Sequence, residues 1–179
     1  METKYYQQKI EQGRQYEIWV CERWPWCYGS PMTHIIGEQD QYDIGDGYES
    51  GGLEIKNDNL IDRFHRIFIE THEKRKATNR KWVLSGIYKR AKYKWYLIGD
   101  YKRWYCFKRH TLITLDKDDA PWLHRPKEKN DDTKKGFAFG VRHARELCEF
   151  YQQFDHNGRP KTAIGCMKIT KAVYELEGY

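Results

Sequence analysis

Residues 51–58 read Gly-Gly-Leu-Glu-Ile-Lys-Asn-Asp. On a β-strand, residues two apart point to the same face. A strand here sets Glu54 and Lys56 side by side and turns Leu53 and Ile55 the other way, into a core. The glycines at 51 and 52 close the run on its N-terminal side and suit a tight connection back to an upstream strand. This octapeptide therefore calls for a half-buried strand with one apolar face and one ionic face, entered from a hairpin.

The rest of the chain supplies elements around that strand. Residues 3–24 have a loose helical spacing (Tyr6, Ile10, Tyr16, Val20) interrupted by Gly13, and the segment Trp24 to Pro31 ends the helix. Residues 42–48 and 53–57 read as a hairpin, Phe64 to Glu70 as a third strand and Lys74 to Lys81 as a basic loop. Trp82 to Tyr88, Trp95 to Ile98 and Trp104 to Phe107 read as further strands. Residues 116–136, charged and holding Pro121 and Pro126, read as a surface loop, and Gly136 to Gly140 as a mobile loop. Residues 141–154 have helical spacing, and the tail from Lys168 reads as a last short helix. A helix, consecutive strands and terminal helices give an α/β fold with a mixed central β-sheet flanked by helices. The 179 residues suit a single domain, 1–179.

Charge is distributed unevenly. The segment 74–109 holds thirteen Lys or Arg against one acid, Asp100, for a net +12. The overall charge is +6, so the remaining 143 residues sum to −6. Trp82, Tyr88, Tyr93, Trp95, Tyr101, Trp104 and Tyr105 interleave the basic residues. Lysine and arginine attract phosphates irrespective of sequence, and aromatic rings either fill a core or stack on bases. Lys74, Arg75, Lys76, Arg80, Lys81, Lys89 and Arg90 are the nucleic-acid-binding candidates. Lys127, Lys129, Lys134 and Lys135 are further cations that could track a backbone.

Other chemistries find little support. The five cysteines form no C-x-x-C pair, so zinc sites and disulfide frameworks are disfavoured and free thiols in a reducing, cytoplasmic compartment are expected. The seven histidines include no H-E-x-x-H pair. His72, beside the third strand, could face a phosphate. Gly45-Asp46-Gly47 is not a dinucleotide fingerprint, and neither a G-x-S-x-G nor a Walker lysine motif occurs. Met1 to Gln15 lacks the apolar core of a signal peptide, and no apolar stretch approaches the roughly 20 residues of a membrane span, so no membrane partner is expected.

An aspartate placed beside Glu54 and Lys56 would make a divalent-metal site with a lysine at its edge. Phosphodiester hydrolysis uses anionic oxygens that hold Mg²⁺ and leave waters in place. A neighbouring lysine orients the attacking water and stabilises charge developing on the phosphate. Hairpin register decides which aspartate belongs. A three-residue loop, 49–51, sets Asp46 opposite Glu54, whereas a four-residue loop, 49–52, sets Gly45 opposite Lys56 and Asp43 opposite Asp58. Asp46 is favoured for its closeness to the turn and to Glu54.

Gly45-Asp46 and Gly52-Leu53-Glu54-Ile55-Lys56 resemble the PD-(D/E)XK nuclease superfamily, with the proline before the aspartate missing. Gly13-Arg14-Gln15-Tyr16-Glu17 resembles the G-x-x-x-E of that family's first helix, and the similarity in motifs covers roughly residues 13–70. The resemblance implies a restriction-endonuclease-like three-layer core. It implies Mg²⁺ (with Mn²⁺ able to substitute) on Asp46, Glu54 and the Ile55 carbonyl, with Lys56 positioning the water and Glu17 approaching from the first helix. Glu70 is a weaker candidate, expected to pair with the basic loop. The function implied is a metal-dependent deoxyribonuclease, an endonuclease rather than an exonuclease, acting on DNA and by analogy as a homodimer. The alternative is a catalytically silent module of the same fold that binds nucleic acid or a protein partner.

Overall fold

The computed structural model describes residues 2–28, 33–34, 44–45, 52–74, 80–89, 93–127 and 133–161; in the first helix it describes the side chains of 7, 8 and 10–24. The α/β architecture is present. Four strands form its mixed sheet: β3 (Leu53–Asn57), β6 (Trp95–Asp100), β7 (Arg103–Lys108) and β9 (Phe150–Gln153). Two-residue strands β1 (Thr33–His34) and β2 (Ile44–Gly45) extend it beyond β3. β3 and β6 run parallel, and every other neighbouring pair in this sheet is antiparallel. A second, antiparallel sheet has the order β5 (Val83–Leu84), β4 (Arg66–Glu73), β8 (Lys134–Gly140).

Strand alternation separates two cores. Leu53, Ile55, Leu97, Trp104, Cys106 and Phe150 face helix α1 (Glu2–Tyr28) and pack with its Tyr16, Val20 and Trp24. Tyr96, Ile98, Tyr105 and Phe107 point the other way. They meet Ile67 and Ile69 of β4, Phe137 and Phe139 of β8, Leu112 of helix α3 (Arg109–Asp118) and Ala144 of helix α4 (Val141–Leu147). Partners across a ladder share a face, so Glu54 and Lys56, opposite Tyr96 and Ile98, belong to this second side. The mixed sheet thus has α1 on one face and, on the other, a second sheet with α3 and α4, where the sequence reading expected helices.

Several elements depart from expectation. The helix does not break at Gly13; a Cβ there would meet nothing within 4 Å. Its buried stripe is Tyr16, Val20 and Trp24, while Ile10 is exposed. The third strand starts at Arg66, after a short helix α2 (Ile61–Phe64). Trp82 to Tyr88 holds only a two-residue strand, and Gly86–Tyr88 forms a 3-10 turn. The expected loops at 116–136 and 136–140 instead hold the end of α3 and all of β8. The expected helix 141–154 ends at Leu147, because Phe150 to Gln153 pairs with β7 and buries Phe150 and Gln152. The tail from Lys168 lies outside the described residues. No helix among the described residues is long and apolar enough to cross a membrane.

Candidate active site

β3 delivers Glu54 and Lys56 as its alternation requires. Glu54 is 1% exposed, and its Oε1 lies 2.5 Å from Lys56 Nζ, whose side chain is 36% exposed. Glu54 Oε2 is buried with no hydrogen-bond partner among the described residues. A buried carboxylate oxygen left without a donor is costly, so this atom is where a cation would be stabilising. Fully buried Tyr96, the ladder partner of Glu54, feels Lys56, Glu54 and Glu70 together. Its hydroxyl pKa is held well above the ordinary value, first by burial and then by the two carboxylates, against the opposing lysine.

Glu70 arrives from the second sheet. The β4–β8 ladder shifts register between Glu70 and His72, and a bulge of this kind redirects neighbouring side chains. Glu70 is buried; its Oε1 accepts a 2.5 Å hydrogen bond from Ser85 Oγ, and its Oε2 lies 2.6 Å from Lys134 Nζ. The salt bridge expected with the basic loop is therefore made with a lysine of β8. The spacing of residues gave no sign of Lys134 or Ser85 as partners, since their approach depends on the second sheet.

Burial opposes ionisation of Glu70, but the Lys134 charge and hydrogen bond, the Ser85 hydroxyl and the Lys56 charge outweigh it and lower the carboxyl pKa. The lowered value means that Glu70 stabilises the fold fully above the unfolded glutamate pKa of about 4.3. That contribution is lost as pH falls through the folded pKa. Thermal melts from about pH 7 to pH 3 should show wild type losing stability on acidification. Glu70→Gln should lose part of that slope; an unchanged slope would refute the charged, paired state of Glu70.

The remaining candidates are placed as follows. Asp46 and Asp43 lie outside the described residues, as do Arg75, Lys76, Arg90 and Lys129. Glu17 is half-buried on α1, which packs on the Leu53/Ile55 face of β3, opposite the face that carries Glu54 and Lys56. Ile55 packs in the α1 core. The ladder pairs Ile44 with Leu53, a register different from both of those weighed from loop length. His72 has Nδ1 3.0 Å from Thr71 Oγ1 and its ring tilted against Tyr88.

The basic segment divides by burial. Arg80, Lys81 and Lys89 are exposed, while Lys74 is half-buried with Nζ 4.2 Å from the centre of the Trp82 ring. Lys135 approaches the same ring at 4.3 Å. Tyr93, Trp104 and Tyr105 are core residues, so these rings are not a row for stacking bases. Tyr101 is exposed, and Trp82, Tyr88 and Trp95 are partly buried. Cys106 is a buried thiol; burial first, then the neighbouring Cys148 and Glu149, pushes it well above its ordinary range. Among the described residues no group of three or more His, Cys, Asp or Glu could hold a metal ion. Comparison with family models, curated proteins and solved structures gives no match.

Proposed function

We propose that the chain is a divalent-metal-dependent DNA phosphodiesterase, acting as an endonuclease, built on a restriction-endonuclease-like core. One observation carries the reading: buried Glu54 keeps one oxygen on Lys56 and leaves the other unpartnered. The second oxygen suits Mg²⁺ or Mn²⁺ without displacing the lysine from the first. The Ile55 carbonyl and an upstream aspartate would complete the ligand set, as in the PD-(D/E)XK nucleases the motif resembles.

A bound Mg²⁺ would supply Lewis-acid stabilisation of the phosphate and lower the pKa of its water. The chain's own residues do the rest. Lys56, its ammonium group on Glu54 and its side chain partly exposed, orients the attacking water and stabilises negative charge on the phosphate. Position on a central strand fixes both groups more tightly than a loop would. Exposed Arg80, Lys81 and Lys89, with Lys74, attract the DNA backbone.

The aspartate is a proposal from the motif alone. Asp43 and Asp46 both lie outside the described residues, and among the described residues the one ladder pair of this hairpin is Ile44 with Leu53. Asp46 is proposed as the partner of Glu54, with Asp43 as the alternative. Purified protein should cut DNA with Mg²⁺ or Mn²⁺. Glu54→Ala, Lys56→Ala and Asp46→Asn should each reduce cutting by about 10² or more while DNA binding persists. Loss of activity in Asp43→Asn, with Asp46→Asn unaffected, would reverse the aspartate assignment. A wild type inert on linear, supercoiled, branched and single-stranded DNA would reject the enzyme reading.

The near-complete burial of Glu54 behind its lysine favours a second reading, a catalytically silent module in which this pair is structural. Such a module would bind DNA with a steep salt dependence and cut nothing.

A further inference from the structure

Glu70 and Lys134 repeat, from the second sheet, what Glu54 and Lys56 do on the first. In each pair a glutamate is buried (side chains 1% and 9% exposed) and its lysine reaches solvent (36% and 61%). Lys56 acts electrostatically on Glu70 as well as bonding Glu54, and Tyr96 feels both carboxylates. β4 and the Gly86–Tyr88 turn pack through Ile67, Ile69 and Ile87 on the Tyr96 and Ile98 side of the mixed sheet, the side of Glu54 and Lys56, so the two pairs belong to one neighbourhood, each lysine more exposed than its carboxylate.

A solvent-exposed ion pair contributes little to stability, and a buried carboxylate is costly to keep. Glu70 is kept nonetheless, by a bulge, by the Ser85 hydroxyl and by the close approach of the 3-10 turn: a Cβ on Gly86 would lie 2.0 Å from the Glu70 carbonyl oxygen. The carboxylate so fixed bonds the ammonium end of Lys134. A lysine so held has already lost rotamer freedom that a free surface lysine would lose on binding. Neighbouring Lys135, over the Trp82 ring with Lys74, continues the same basic edge.

We propose that Glu70–Lys134 is a second carboxylate–lysine pair of the same centre, in which buried Glu70 is a positioning residue and Lys134 grips a phosphate of the bound DNA. The proposal rests on the nuclease reading for its ligand. Binding is measured by fluorescence anisotropy of a labelled DNA duplex with EDTA present, using the full chain over a range of salt, so it does not depend on cleavage. Lys134→Ala should weaken binding about tenfold and lower the slope of log K against log salt by about 0.9. Lys134→Arg should recover most of that slope. Glu70→Gln should weaken binding several-fold, and Glu70→Gln with Lys134→Ala should be no weaker than Lys134→Ala alone, because Glu70 acts through the lysine. Arg142→Ala, removing an exposed cation of α4, serves as the charge-matched comparison and should leave the slope nearly intact.

Exposed Lys134 keeps the test decisive if Glu70→Gln folds poorly. A wild-type slope in Lys134→Ala, or independent, additive losses from the two substitutions, overturns the proposal. A wild type that cuts DNA while Lys134→Ala binds normally overturns this proposal alone. A wild type that neither binds nor cuts overturns the nuclease reading with it.

Discussion

Replacing Glu54 by Leu and Lys56 by Met together should leave the protein at least as stable as wild type and wholly without nuclease activity. The pair is poor structural cement. Its carboxylate is 1% exposed, so folding strips it of water, and one oxygen regains no partner among the described residues. Exchanging a buried ion pair for apolar residues of similar size is often neutral or stabilising by about 1–4 kcal/mol. Tyr96 and Ile98, the ladder partners of these positions, already provide apolar company. Lys56→Ala alone should instead destabilise, by up to about 3 kcal/mol, because it strands a buried carboxylate; partial exposure of the lysine argues against a larger value. Chemical denaturation and a DNA-cleavage assay on the same samples check this. A stable double variant that still cuts would remove Glu54 and Lys56 from the mechanism, and an unfolded one would make the pair architectural.

Gly86→Ala should lower stability by about 3 kcal/mol or more, a fall in Tm of roughly 6–12 °C for a chain this long. Gly86 has φ of +48°, and a Cβ there would sit 2.0 Å from the carbonyl oxygen of Glu70 and 2.9 Å from its Cβ. Neither backbone strand nor turn can yield that much without pulling Ser85 away from Glu70 and the Gly86 carbonyl away from the Tyr93 hydroxyl. Gly13→Ala is the instructive contrast. Gly13 lies within α1 with open space around it, so alanine should stabilise by about 0.5–1 kcal/mol. Thermal melts of the two variants side by side settle the matter, and a Gly86→Ala protein that melts like wild type would show that the turn is not held against β4.

Leu53 to Asn57 was legible because alternation along one strand needs no knowledge of anything distant, and Trp95 to Ile98 because a short continuous apolar run marks a strand buried on both faces. Lys134 to Gly140 was not. Its two lysines and two glycines resemble a loop, and only the passage of Ile69 close by explains why Gly136 must lack a side chain: a Cβ would lie 1.9 Å from the Ile69 carbonyl oxygen. Phe150 to Gln153 followed a helical run and was absorbed into it, until the open edge of β7 claimed it as a strand. The candidate site divides similarly. Glu54 and Lys56 are local, two residues apart. The pairing of Glu70 with Lys134 joins residues far apart in the chain through a sheet that carried no signature of its own, and the hairpin register depended on a single ladder contact between Ile44 and Leu53.

The parallel pairing of β3 with β6 sets the order in which the chain can become organised. Parallel neighbours require a crossover, and here the crossover contains α2, β4, β5 and the Gly86–Tyr88 turn, while β4 in turn pairs with β8 much further along. Such contacts between distant residues lose chain entropy before they yield any stabilisation, which slows folding. Glu54 thus owes its buried surroundings to strands brought together from distant parts of the chain. A nascent or partly unfolded copy has Glu54, Lys56 and Glu70 but not their arrangement, so any chemistry they perform is restricted to finished molecules.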